Sequence, residues 1–483
     1  MPRVEITPTD QEYVVGVDEL FFSATDRAGV IELVNSTFAR LSHYTHDELV
    51  GKPHNVVRHP DMPGGAYKLV WKQLHEGRPA CAYVKNIAAD GSFYWVFATL
   101  LPVGDKFLSV RKRPQMTDLL AITEDLYSGA RSRELQAHEE GSSRAEAAEI
   151  GCGIIVEELA KYGITNGDDL ALNTLPREVL EHVRHSGGLP RRPDATGPLG
   201  DLLRIMHEID TLTVHLVHQM DEYADFVRAL ESSYGDAELA AARLRDIAAA
   251  ARRAADLPAV GAAARKAVEA AAKQAAAAGH EVEEGMVVTP FVAELSDRMS
   301  GHADKASEEL ASLVVHLRQA AEQVRWLRMR IALLRLHNLM VGTFASELID
   351  GHGDGDTTES MRLLCQALQE GVVELIKTDD TVREAAGAVP ALVEDAVRQA
   401  DRVLRLVTKW RPEIGALGCA DIAQEHLDAV SAITEAGFDE LHRFYTVAAR
   451  CSLLGDNHDE ERLAAAISNL ANVLDEYSKE SAA

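Results

Sequence analysis

The chain has 483 residues, 76 acidic against 49 basic side chains, and a formal net charge of -27. That length allows about two to four domains with real cores, and so acidic a chain repels phosphate backbones and anionic membranes, which excludes nucleic acid as a partner. Five scattered cysteines (Cys81, Cys152, Cys365, Cys419, Cys451) form no CxxC pair, so they carry no zinc signature and fit reduced thiols. No apolar signal region and no run of about eighteen apolar residues is found, so a cytoplasmic protein without a membrane span is expected.

After a polar leader, Leu20 to Thr25 reads as a strand, Asp26-Arg27-Ala28-Gly29 as a tight turn and Val30 to Val34 as the returning strand. Asn35 is placed to cap a short helix, Ser36 to Ser42. Thr45-His46-Asp47-Glu48 has the capping-box pattern of a second, which Gly51 ends. Next comes the stretch Arg58-His59-Pro60-Asp61-Met62-Pro63, whose prolines forbid regular helix. A guanidinium, an imidazole and a carboxylate crowded into a stiff loop suit a ligand site, or a merely solvated turn. Over residues 64 to 76, Tyr67, Val70, Trp71 and Leu74 recur at helical spacing on one face. Ala82 to Ala88 reads as a strand, Asp90-Gly91 as a hairpin turn, and the next strand alternates Phe93, Trp95, Phe97 with Tyr94, Val96, Ala98. Lys106 to Lys112 closes an expected five-stranded antiparallel sheet with helices on one face, an α+β domain over residues 18–115.

This arrangement resembles a PAS domain, and its motifs resemble those of the sensor domain of aerotaxis (energy-taxis) receptors. The resemblance is carried by Val34-Asn35-Ser36-Thr37-Phe38, by His43 through Pro63, and by Trp71, Gly77, Val84-Lys85-Asn86, Asp90-Gly91 and Tyr94-Trp95-Val96. It implies a non-covalently held FAD that reports redox state or oxygen, with the pocket at Asn35, Arg58, His59, Asp61, Tyr67, Trp71 and Asn86. Two amides would read a polar ring edge, a guanidinium fork would take phosphate or carboxylate, and Tyr67 and Trp71 would wall a ring system. Without the resemblance, Tyr67 and Trp71 read as core, and Asn35 as a helix cap. Two departures are Arg78-Pro79-Ala80-Cys81, where the family carries Trp after Gly-x-Pro, and Tyr67 in place of Phe. The alternative cofactor is haem b, with His54, His59 or His75 as ligand. A cofactor-free PAS scaffold is the alternative without a ligand, and no catalytic nucleophile or acid–base pair points to an enzyme.

Residues 116–200 are expected to hold an exit helix, a charged linker (Ser128 to Glu146), a small helical segment and the Gly/Pro-rich linker Ser186 to Gly200. His182-x-x-His185 and His215-x-x-His218 lack further ligands at metal spacing and read as solvated helix faces. Residues 201–350 read as long helices, alanine-rich over 237–279 with a break at Pro258. The sharpest pattern is a heptad seam: Leu310, Leu317, Val324, Ile331, Asn338, and offset by three Leu313, Ala320, Leu327, Leu334, Val341. It predicts a partly coiled-coil region and a homodimer. Arg325, Arg328, Arg330 and Arg335 on the same helix suit acidic partners in the same chain or in another. Residues 325–348 are faintly similar to chemoreceptor hairpins, without the Asn-rich tip that would couple to a chemotaxis kinase. Gly351 to Asp356 lacks calcium-loop spacing and reads as a turn. Residues 358–480 read as further helices broken near Pro390, Pro412 and Gly455-Asp456-Asn457, a surface for a signalling partner.

Overall fold

The structure, a computed structural model, describes residues 6–256, 288–353, 356–416, 439–453 and 458–481, with isolated positions at 266, 269, 270, 273, 428 and 430. Pro258, Asp354, Gly355, Cys419 and the Gly455-Asp456-Asn457 break lie outside the described residues.

Five strands, β1 (Phe21–Thr25), β2 (Ile31–Val34), β3 (Ala80–Ile87), β4 (Phe93–Val103) and β5 (Lys106–Lys112), form one antiparallel sheet in the order β2-β1-β5-β4-β3. The first turn holds because Asp26 Oδ1 accepts from Ala28 N and Val30 N, both at 2.8 Å, while Gly29 supplies φ +81°. Between β2 and β3 lie α1 (Ser36–Ser42), α2 (His46–Leu49), a 3-10 turn (His54–Val57) and α3 (Gly64–His75). Asn35 caps α1, and Thr45 and Glu48 form the expected capping box on α2. The period of two sorts the strands: Phe107, Ser109 and Arg111 face the side covered by α3, while Leu108 and Val110 join the opposite face with Tyr83, Trp95 and Phe97.

That opposite face is covered by α4 (Thr117–Glu139), α5 (Arg144–Ala160), α6 (Gly167–His185) and those parts of α7 (Gly197–Asp256), α8 (Val288–Ile349), α9 (Thr357–Ala416) and α11 (His458–Ser481) that share its core cluster; α10 (Asp439–Ser452) completes the order of helices. Ser128 to Glu146 is mostly helix rather than linker: α4 runs through it, burying Ala130, Glu134 and Ala137 and leaving its charges to solvent. His182 is buried rather than solvated, its Nε2 lying 3.2 Å from Val17 O, while His185 stays exposed. Pro390 and Pro412 do not break α9, where buried Val389, Val393 and Trp410 hold the chain in helix despite a lost backbone donor.

The chain divides into two compact units, Met1–Tyr223 with Arg325–Thr378 and Asn457–Ala483, and Ala224–Val324 with Asp379–Asp456. In the first, Leu327, Ile331, Leu334, Asn338 and Val341 are buried beside Met206, Ile209, Leu364 and Leu368. Asn338 Nδ2 donates to Met206 O at 3.2 Å, Arg335 pairs with Asp210, and Arg330 pairs with Glu374 at 3.0 Å. In the second, Leu310, Leu313, Leu317, Ala320 and Val324 are equally buried, and Arg252–Asp304 and Arg318–Glu238 pair α7 with α8. The heptad seam is therefore closed within one chain, which corrects its reading as the surface joining two copies. A repeat of seven states that a helix needs a partner; it does not say whose.

Candidate functional site

A cavity of roughly 290 Å³ lies between α3, the sheet and the Arg58 to Pro63 loop. The apolar stripe of α3 forms its roof, with all four of Tyr67, Val70, Trp71 and Leu74 in the wall. Gly29 admits Trp71: a Cβ there would come within 2.9 Å of the indole. The polar wall comes from the strands. Asn86 on β3 is 2% exposed, lines the cavity, and makes no side-chain hydrogen bond. Its amide atoms open onto the cavity, where an occupant can both donate to them and accept from them.

The loop is tied to the sheet edge by an isolated antiparallel bridge between Arg58 and Asn86 and by His59 N donating to Lys85 O. Arg58 lines the cavity with its guanidinium 4.5 Å from the Tyr67 ring centre, and its Nη2 donates to Met62 O at 2.7 Å. His59 and Asp61 are not among the lining residues. His59 is buried against Phe93, its Nδ1 accepts from Asp61 N, and Asp61 pairs with Lys85 at 2.8 Å. Burial, then the Lys85 charge, push the His59 imidazole down to about 4, against a smaller opposing pull from Asp61. These two residues fix the loop backbone. Asn35 is also outside the wall: Oδ1 accepts from Phe22 N and Phe38 N, and Nδ2 donates to Leu20 O. Of the seven residues carried over, Arg58, Tyr67, Trp71 and Asn86 meet at the cavity, and Asn35, His59 and Asp61 buttress it.

Two further groups were not singled out from the sequence. Arg111 on β5 is 4% exposed and lines the cavity, donating to Ser23 Oγ at 3.0 Å and lying 2.8 Å from His54 Nε2. No carboxylate among the described residues lies within ion-pair distance of it, and burial lowers its pKa to about 10. Its signal was available in the alternation of Phe107, Ser109 and Arg111, which directs an arginine inward. His54 faces that guanidinium and is held well below the ordinary histidine value, by burial first and Arg111 second. The second group is Glu134 on α4. Its buried carboxylate accepts from Gly64 N and Gly65 N, both at 2.8 Å, and so caps α3 from outside. Arg131 Nε donates to Pro60 O at 2.9 Å. The exit helix thus grips both the loop and the helix that enclose the cavity. Nearby, Glu178 of α6 accepts from Tyr83 Oη, Lys112, Gln115 N and Met116 N, pinning the corner between β5 and α4.

The residues present fit a flavin. Trp71, Tyr67 and Phe107 are flat walls, Asn86 is an amide open to the cavity, and Arg58 and Arg111 offer positive charge where no lining residue is acidic. They fit haem poorly. His54 alone of the three candidate histidines reaches the cavity and its Nε2 engages Arg111, while Nδ1 of His75 lies 2.7 Å from Trp71 O on an exposed face. Among the described residues no cluster of three metal-ligating side chains occurs, and no helix is long and apolar enough to cross a membrane.

Comparison with known proteins agrees with the architecture. A family described as the PAS fold matches residues 31–110. Over 124 residues the chain is 38% identical to the aerotaxis receptor of Escherichia coli (strain K12), covering 25% of this chain and 24% of that one, so the match spans about a quarter of the receptor's length. A solved light-oxygen-voltage domain studied with a flavin analogue is 20% identical over 22% of this chain and 86% of its own, with a TM-score of 0.21. The light-state domain of the blue-light photoreceptor Aureochrome1 is 17% identical over 22% of this chain and 91% of its own, with a TM-score of 0.20. With the sheet, the loop and the sequence match in agreement, residues 31–110 are a PAS domain of the aerotaxis-receptor type.

Proposed function

We propose that this protein is a sensor, not an enzyme, which holds FAD in the PAS cavity and passes redox state or oxygen tension to its helical region. The observation that carries the reading is the buried, unpartnered amide of Asn86 in a wall that otherwise offers flat apolar faces and two guanidinium groups. FAD, when bound, supplies reversible electron uptake and with it a change of charge and hydrogen bonding at its ring edge. Asn86 would read that edge, Tyr67 and Trp71 would exclude water from its faces, and Arg58 would take a phosphate. Arg111 places a fixed positive charge in the wall, and Asn35, His59 and Asp61 keep the loop in register.

The output route begins at α3. A shift of α3 or of the loop is felt by Glu134 and Arg131, which hold both from α4. For signalling, the two redox states must differ in these contacts. The aerotaxis-receptor match supports a taxis role; a homodimer, a signalling protein as partner and a cytoplasmic compartment complete the proposal. A second copy would use a surface other than the closed heptad seam. The absorption spectrum of the purified full chain tests the cofactor: a flavin spectrum is expected. Asn86→Ala and Arg58→Ala should lose most of the bound flavin with the domain still folded. Full retention in both variants would move the site elsewhere.

A further inference from the structure

A second cavity, of roughly 330 Å³, lies in the same unit between α3, the edge strand β3, and helices α4, α5 and α6. It opens to solvent beside the exposed Ile122 and Tyr162 and runs inward between buried side chains, a concave apolar shape that suits a small ligand. Its body is apolar, with Leu69, Phe97, Leu119, Leu126, Ile155 and Leu170 in the wall. No aspartate or glutamate lines it, in a chain with 76 of them.

The polar groups of this wall fall into two sets. Gln73, Tyr83, Thr123 and Asn173 are engaged, with Asp168, Glu178, Leu119 O and Asp169 O respectively, and Thr165 and Asn166 donate to the Asp169 carboxylate. Tyr127 and Thr174 are nine-tenths buried or more, line the cavity, and make no side-chain hydrogen bond. Neither hydroxyl oxygen is sealed inside the protein, so both open onto the cavity and can donate to an acceptor held there. Arg177, exposed and without an ion-pair partner among the described residues, follows Thr174 by three positions and so shares its face of α6.

We propose that this cavity binds an amphipathic carboxylate, its hydrocarbon body among the apolar side chains and its head group on Arg177 and Thr174. The charge fits because the wall holds one cation and no anion. Ala66, Val70 and Ala82 line both cavities, so an occupant here presses on the wall of the first. The inference is independent of the flavin reading, since none of Tyr127, Thr174 and Arg177 lines the first cavity.

Calorimetric titration of the full chain with decanoate and with decan-1-ol tests it. Decanoate is expected to bind saturably at one per chain. Arg177→Met should weaken decanoate about tenfold or more while leaving decan-1-ol within about twofold, because only the charge-assisted contact is removed. Leu170→Trp, which fills the cavity, should abolish both; should that variant not fold, the Arg177→Met comparison decides alone. No saturable decanoate binding, or equal decanoate affinity in wild type and Arg177→Met, overturns the proposal.

Discussion

Arg111 separates a ligand-holding role from a structural one. A buried guanidinium with no acid beside it destabilises the protein that contains it, so Arg111→Met is expected to leave the flavin-free protein as stable or more stable by about 1–3 kcal/mol. The same change should weaken flavin binding about tenfold or more. Thermal melts of the stripped protein and flavin titration check the two halves, and a stability loss with unchanged affinity would make Arg111 a packing residue. Four histidines set a pH dependence, His54, held well below its ordinary value, and three more. His59, His182 and His337 have their pKa pushed down to about 4, in each case chiefly by burial. A histidine with a folded value below its unfolded 6.5 leaves stability complete above pH 6.5 and drains it as pH falls toward 4. At pH 5 each should add about one proton taken up on unfolding. His337 Nε2 is buried without a partner, so His337→Leu should remove about one of those protons and flatten the slope of melting temperature against pH. An unaltered slope would show that His337 titrates normally.

At the scale of elements, the joint between α4 and α3 is the feature to break. Glu134→Ala strands two amides at the start of α3 and should cost about 1–3 kcal/mol. If this joint transmits the signal, hydrogen exchange in α4 should differ between oxidised and reduced wild type and should no longer differ in Glu134→Ala. Equal protection of wild-type α4 in both redox forms would remove this route. The same helix start also packs tightly on α5, since a Cβ at Gly65 would stand 2.2 Å from Cys152 N and 2.4 Å from Gly151 C, both backbone atoms of α5. What was legible in the sequence was local: the Asn35 cap, the Thr45–Glu48 box, the Asp26 and Asp90 turns, and the α3 stripe that roofs the cavity. Each is decided by residues within a few positions of one another. Glu134 and Glu178 act on partners more than sixty positions away, and no spacing rule reaches that far, whereas the inward face of Arg111 follows from the alternation of β5 and only its partners do not. The same limit explains Asn35, His59 and Asp61: the motif located the loop, but which side chains face inward depends on how the loop docks on β3. His182 and the α9 prolines were misread because tertiary packing overrides composition and propensity.

For the whole molecule, the closed seam changes what a seam mutation does. Leu317 is buried in its own chain, so Leu317→Glu should lower stability severely, by roughly 3 kcal/mol or more, instead of separating a dimer into folded monomers. Light scattering together with thermal melts distinguishes the two: a folded, half-mass species of wild-type stability would restore the intermolecular reading. Among the described residues no helix is long and apolar enough to cross a membrane; Arg252–Asp304 and Arg318–Glu238 lie on helix surfaces, while Arg335–Asp210 is buried between α8 and α7.

Synthesis begins at the N-terminus, and this gives the outer face of the sheet an awkward history. Phe22 on β1 meets Phe344 on α8 edge to face, with ring centres 5.3 Å apart, and Tyr83, Trp95 and Phe97 belong to one cluster with residues as distant as Leu463. A ribosome that has released the five strands has still to make more than half of the chain that covers them. Throughout that interval an aromatic sheet face stays open, and it is there, before any cofactor arrives, that a nascent copy is most exposed to chaperones and to its neighbours.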